Sequence, residues 1–173
     1  MSRRNALHKE RCAVIGIVFS LDRTSVLLIQ RRDVPVWVLP GGGVDAEEAP
    51  EGAIVRELLE ETGFLVQVTR LIGEYTPINR LTRHTFFYEC QILSGTARPS
   101  QESRAVQFFP VTGLPPLVPP PHPDWIREAL EERPFFVKPL TDITYMRLLR
   151  NFFCHPCLVI RFILSRLGCP INR

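Results

Sequence analysis

Gly42-Gly43-Val44-Asp45-Ala46-Glu47-Glu48-Ala49-Pro50-Glu51-Gly52-Ala53-Ile54-Val55-Arg56-Glu57-Leu58-Leu59-Glu60-Glu61-Thr62-Gly63-Phe64 is the stretch from which the rest of the chain can be read. Pro50 suits the first turn of a helix and Gly63 its C-terminal stop, so the spacing predicts a helix over residues 49–62. At about 100° per residue, Ile54, Val55, Leu58, Leu59 and Thr62 are expected on one side. Glu57, Glu60 and Glu61 are expected on the other, at spacings i, i+3 and i+4. Carboxylates stacked in this way repel one another. Two of them also sit in the last turn, where the helix dipole disfavours anions. A bound divalent cation reverses the sign of all these effects, and hard oxygen ligands suit Mg²⁺ or Mn²⁺. A solvated acidic face is the alternative that the carboxylates alone allow.

Outward from this stretch, the chain alternates apolar runs with turns. Residues 12–20 and 25–31 are rich in β-formers and are expected to pair as a hairpin through residues 21–24. Pro35–Pro40 is a short extended piece around Trp37, and Gly41-Gly42-Gly43 a loop. Residues 66–75, 85–93 and 105–109 read as strands. Seven prolines between Pro110 and Pro123 predict a stiff, partly polyproline-like connection. Residues 124–132 form a short helix, and 141–166 a helical stretch broken near Pro156. Strands before and after one central helix give an α+β class, a mixed sheet within an α/β/α sandwich. The expected organisation is a flexible arm over 1–10, a domain over 11–134 and a helical extension over 135–173.

The run Gly42 … Glu48 … Arg56-Glu57-Leu58-Leu59-Glu60-Glu61-Thr62-Gly63-Phe64 resembles the Nudix box, G-x5-E-x7-R-E-U-x-E-E-x-G-U with U a bulky apolar residue, and every fixed position matches. At about 5% per residue type, a chance match anywhere in this chain is below roughly one in ten million. Arg31-Arg32 ahead of Trp37-Val38-Leu39-Pro40-Gly41-Gly42-Gly43 is similar to the family's strand entering the box. Phe108-Phe109-Pro110 is similar to its closing strand.

The resemblance implies an α/β/α sandwich in which the box forms loop–helix–loop. It implies hydrolysis of a diphosphate bond in a nucleoside diphosphate linked to another group X, with Mg²⁺ or Mn²⁺ as cofactor. Glu57, Glu60 and Glu61 are then the expected metal ligands, with the carbonyl of Gly41 a further candidate. Arg56 is expected to pair with Glu48 and Glu57 and so hold the carboxylates. Gly42, Glu48 and Gly63 shape the box. Cleavage of oxidised nucleoside triphosphates is the alternative enzyme reading, and a non-catalytic nucleotide-sensing module the alternative of another class. None of the box carboxylates is lost, which favours catalysis.

Outside the box, Glu102 in the loop Ser100-Gln101-Glu102-Ser103 is a candidate general base or supplementary metal ligand, with a solvated carboxylate as the alternative. Arg31, Arg32, Arg80 and Arg83 are candidate phosphate contacts. Trp37, Tyr75 and Phe87 are candidate base-stacking rings, although each also suits a core. Pro77 is a weak candidate marker of an ADP-ribose substrate.

Composition limits the remaining classes. The 173 residues carry 21 Lys+Arg against 18 Asp+Glu, a net charge of +3. This is too small to argue for nucleic acid, and no basic, aromatic-interleaved strip is present, so no stable nucleic-acid partner is expected. Lysine occurs only at Lys9 and Lys138. Five cysteines without a leader-like cleavage site suggest reduced thiols and a cytoplasmic setting.

Cys154-His155-Pro156-Cys157 is read as a turn rather than a redox or zinc site. Residues 143–173 hold five Arg and no Asp, Glu or Lys, and their apolar runs are interrupted too often for a membrane span. Helices packed on the sheet are expected there, with a homodimer or membrane-surface contact as the sharper alternative.

Overall fold

The computed structural model describes residues 12–144 and residue 160. Over residues 12–144, eight strands and two helices follow in the order β1 (Cys12–Val18), β2 (Ser25–Arg31), β3 (Trp37–Val38), β4 (Gly41–Gly43), α1 (Pro50–Thr62), β5 (Phe64–Thr76), β6 (His84–Gly95), β7 (Ser103–Pro110), α2 (His122–Leu130) and β8 (Phe136–Pro139). They form a five-stranded mixed sheet, β4-β1-β6-β5-β8, and a three-stranded sheet, β3-β2-β7.

Alternation along β1 explains how both faces of the larger sheet are used. Cys12, Val14 and Val18 face one core with Ala53, Ile54 and Leu58 of α1. Ile17 faces the other with Trp125, Ile126 and Ala129 of α2. The sheet is therefore sandwiched by a helix on each side, as the sequence predicts. Both faces of β2 are buried as well, with Leu27 in the first core and Val26 and Leu28 in the second.

Four expectations are corrected. β1 and β2 do not form a hairpin. They touch through the single bridge Phe19–Val26 and then diverge, because β1 takes β6 as a parallel partner while β2 pairs with β7. The Gly41–Gly43 loop is an edge strand, antiparallel to Ala13–Ile15. The segment from residue 135 is not helical at its start, since Phe136–Pro139 extends the sheet beside Gly73–Thr76. The second helix also begins two residues earlier, at His122.

The helical reading of residues 141–166 does not hold for residues 141–144, of which 141–142 form a turn and 143–144 have no regular structure. Residue 160 is helical, and the rest of that stretch, with Cys154–Cys157, the break near Pro156 and the arginine-rich end, lies outside the described residues, as does the expected arm over 1–10. Among the described residues no helix is long and apolar enough to cross a membrane.

Candidate functional site

α1 carries the site, and its orientation follows from its apolar stripe. Ala53, Ile54 and Leu58 are fully buried, while Leu59 is 46% exposed. Leu59 thus leaves the buried side on which the sequence reading placed it. Glu61 moves the other way, at 7% exposure, whereas the Glu60 side chain is 60% exposed. The reason is rotational. Glu61 lies seven residues after Ile54, within about 20° of it on the wheel, and Leu59 lies about 140° away. The three carboxylates therefore form a graded series, with Glu61 buried, Glu57 half-buried and Glu60 in solvent.

α1 stops at Gly63, whose φ of 78° is left-handed and whose N–H donates to the Leu59 carbonyl. Its N-terminal half is held by Arg56. That guanidinium donates to both oxygens of Glu48 (3.0 and 2.9 Å), to Glu57 Oε1 (3.0 Å), to the Gly43 carbonyl (3.1 Å) and, longer, to Glu60 Oε2 (3.4 Å). This is the bracing role that the sequence assigns to Arg56 and Glu48. The planar fork matches a carboxylate bidentately. Its hydrogen bonds hold Glu48 below the usual carboxylate range, and Glu48 in turn pushes Arg56 further up.

The glycine strand β4 lies against these groups. Gly41 N–H donates to Glu61 Oε2 at 2.8 Å. A Cβ on Gly42 would lie 2.4 Å from Glu57 Oε1, so only glycine lets this carboxylate sit on the strand. A Cβ on Gly43 would approach Arg83 Nη1 at 3.2 Å. Because neighbouring strand positions face opposite ways, Arg83 flanks the strand on the side away from Glu57.

Burial raises Glu57, against the pull of Arg56, and the charges of Glu60 and Glu102 raise it further. Burial lifts Glu61 to about 8, opposed by the Gly41 amide and the Arg31 charge and reinforced by Glu57 and Glu102. Glu102, exposed on its loop, is thus close enough to act on both carboxylates.

Among the described residues, no three His, Cys, Asp or Glu side chains converge closely enough to enclose a metal ion as they stand. The donor chemistry nevertheless fits a hard cation. Burial raises both Glu57 and Glu61, and the charge of Glu57 raises Glu61 further, a charge imbalance that a divalent ion would offset.

The other candidates divide. Arg31 is bound by Asp33 at 2.9 and 2.5 Å, and its charge still reaches Glu61 and Glu102. Arg32 clamps a loop, its Nη2 donating to the carbonyls of Ser100 (2.8 Å) and Ser103 (3.3 Å). Arg80 is exposed near the start of β6. Trp37 is half-buried, edge-on to Phe109 with ring centroids 4.7 Å apart. Tyr75 and Phe87 are core residues of the α2 side, at 4% and 0% exposure, and are not available for stacking. Pro77 is exposed in the turn after β5.

Sequence reasoning missed Ser103. It is wholly buried and its hydroxyl donates to the Glu61 carbonyl at 2.6 Å. A small polar residue at the first position of a strand gives no periodic signal that would single it out.

A family model of the NUDIX domain matches residues 10–132. The chain is 49% identical over 67 residues to a putative 8-oxo-dGTP diphosphatase of Bacillus subtilis, covering 38% of this chain and 45% of the relative. It is 32% identical over 111 residues to an ADP-ribose pyrophosphatase of Methanocaldococcus jannaschii, covering 61% and 64% of the two chains. The matched segments thus span less than two thirds of these relatives' own lengths. Among solved structures, an ADP-ribose pyrophosphatase from Streptococcus suis superposes with a TM-score of 0.61 at 26% identity, over 75% of this chain and 98% of that one.

Proposed function

The chain belongs to the NUDIX domain family, and we propose that it is a divalent-metal-dependent pyrophosphohydrolase cleaving a diphosphate bond in a nucleoside diphosphate linked to a second moiety. Water attacks one phosphorus, the bridging P–O bond breaks, and a nucleoside monophosphate leaves with a phosphorylated X. The observation that carries this reading is the pair of carboxylates seated on the glycine strand, Glu61 buried and held by the Gly41 amide and Glu57 braced by Arg56.

Glu57, Glu60, Glu61 and the Gly41 carbonyl are the groups that would hold Mg²⁺ or Mn²⁺. Such an ion supplies Lewis-acid polarisation and offsets the charge developing on the phosphoryl oxygens. The remaining work belongs to the chain. Arg56 keeps Glu48 and Glu57 in place, so the acidic cluster is organised before substrate arrives. Arg31, whose charge reaches Glu61, and Arg83, beside Gly43, supply positive charge. Glu102, outside the braced cluster, takes the proton of the attacking water.

A second reading, hydrolysis of an oxidised nucleoside triphosphate with release of pyrophosphate, is supported by the 49% identity to the putative 8-oxo-dGTP diphosphatase. A panel of ADP-ribose, UDP-sugars and 8-oxo-dGTP with Mg²⁺ and with Mn²⁺, products read by mass, separates the two. Turnover of a diphosphate-linked substrate, lost in Glu61→Gln, is expected. Pyrophosphate from 8-oxo-dGTP alone would establish the second reading. Nucleotide binding without turnover of any substrate would leave a sensing module and overturn both.

A further inference from the structure

The last turn of an α-helix leaves four carbonyls without intrahelical partners. In α1, Leu59 receives the Gly63 amide (3.0 Å), Glu61 receives the Ser103 hydroxyl (2.6 Å), and Thr62 receives the Arg98 amide (2.9 Å). Two of these three donors come from the segment that bears Glu102.

That segment is closed on itself. Ser100 Oγ accepts the amides of Glu102 (3.1 Å) and Ser103 (2.9 Å), and the two serine hydroxyls lie 3.0 Å apart. Arg32 grips the same loop from the end of β2, its backbone N–H donating to the Glu102 carbonyl at 2.9 Å and its Nη2 to the carbonyls of Ser100 and Ser103. Both peptide groups flanking the Glu102 side chain are therefore tied down. The carboxylate itself is exposed and makes no hydrogen bond or ion pair among the described residues.

We propose that Ser103, with Ser100 and Arg32, is a positioning latch that fixes Glu102 relative to the turn of α1 bearing Glu61. The hydroxyl of Ser103 joins the two directly, since it caps the carbonyl of Glu61 and belongs to the serine pair that orients the Glu102 amide. The charge of Glu102 reaching both Glu57 and Glu61 is consistent with that placement. The proposal rests on the reading that Glu102 takes the proton of the attacking water. Loss of the latch then lets Glu102 wander by an ångström or so, a displacement that costs on the order of 10–100-fold in rate.

The test is a cycle of Ser103→Ala, Glu102→Gln and the double variant, assayed on the substrate found in the panel, with hydrogen exchange of the substrate-free protein. Ser103→Ala is expected to lower kcat roughly 10–100-fold with KM within about threefold. Glu102→Gln is expected to lower kcat roughly 10²–10⁴-fold, and the double variant to be no slower than Glu102→Gln alone. Exchange at the Glu102 amide is expected to rise at least about tenfold in Ser103→Ala, with α1 amides unchanged. Should Ser103→Ala fail to fold, Arg32→Lys runs the same cycle from the other side of the loop.

A normal kcat in Ser103→Ala beside a slow Glu102→Gln would overturn the latch and leave the base assignment standing. A loss of equal size in both backgrounds would place the effect on Glu61 and overturn it as well. Wild-type kcat in Glu102→Gln would overturn the base assignment and the latch with it.

Discussion

The amide of Gly41 and the buried carboxylate of Glu61 meet at 2.8 Å, twenty positions apart in sequence, and this bond ties the glycine strand to the last turn of the acidic helix. One N–H is a modest return for burying a carboxylate, and burial accordingly lifts Glu61 to about 8. The site is under electrostatic tension that a bound cation would relieve.

Glu61→Gln keeps the acceptor for Gly41 and removes the charge. Between about pH 4.3, the ordinary glutamate value, and about 8, the folded wild type binds more protons than the unfolded chain, so its stability falls as pH rises through that window. In the presence of a chelator, Glu61→Gln is expected to match wild type near about pH 4.5. At about pH 8.5 it should exceed wild type by on the order of 1–4 kcal/mol in urea titrations. Added Mg²⁺ or Mn²⁺ should raise the Tm of wild type more than that of the variant. An equal rise in both would remove Glu61 from the ligand set.

Gly42→Ala places a Cβ 2.4 Å from Glu57 Oε1 and 2.5 Å from its Cδ. The obstacle is the flexible tip of a side chain, so the protein should fold with its Tm lowered only slightly. Glu57 must leave its seat, and kcat is expected to fall by about tenfold or more, because a small displacement of a group that positions the reacting atoms is costly in rate. Paired melting and rate measurements check this, and a Tm loss without a rate loss contradicts it.

Arg56→Lys retains the charge but cannot hold both oxygens of Glu48 while also reaching Glu57 and the Gly43 carbonyl. A kcat lower by roughly 10–100-fold is expected, the range for losing an outer partner of a metal ligand. Glu48→Gln, which still accepts from Arg56, should lose less. Steady-state rates across a metal titration would rank the two.

His122 provides a pH dependence away from the site. Its Nδ1 accepts the Leu39 amide at 3.3 Å, and its ring meets Trp125 edge-on at 5.2 Å. Burial pushes it down to about 3. The unfolded chain therefore binds the extra proton first, and stability present above about pH 6.5 is lost as pH falls toward 3. His122→Gln, which can still accept from Leu39, should flatten that part of the profile. An unchanged acid limb in urea midpoints would assign the loss to other groups.

The helix between Pro50 and Gly63, most of the strands, the acidic cluster and the bracing role of Arg56 were all legible in the order of residues. They follow from local stereochemistry and from spacings along one element, which the chain carries whatever surrounds it. The depth of Glu61 was legible too, since its place on the wheel beside Ile54 and Leu58 is a matter of rotation alone. Grouping it with Glu57 and Glu60 by charge concealed this.

The remaining features came from contacts between distant segments. β1 and β2 are joined by a short turn, yet they part into two sheets, because burying both faces of each strand favours distant partners over a local hairpin. The same long-range pairing turns Gly41–Gly43 from a loop into a strand beneath Glu57. It also directs Arg32 into the loop of Glu102 and brings the Ser103 hydroxyl to the carbonyl of Glu61, forty-two positions away. No local propensity specifies those contacts, because their energy appears only once the two sheets and the helix have been brought together.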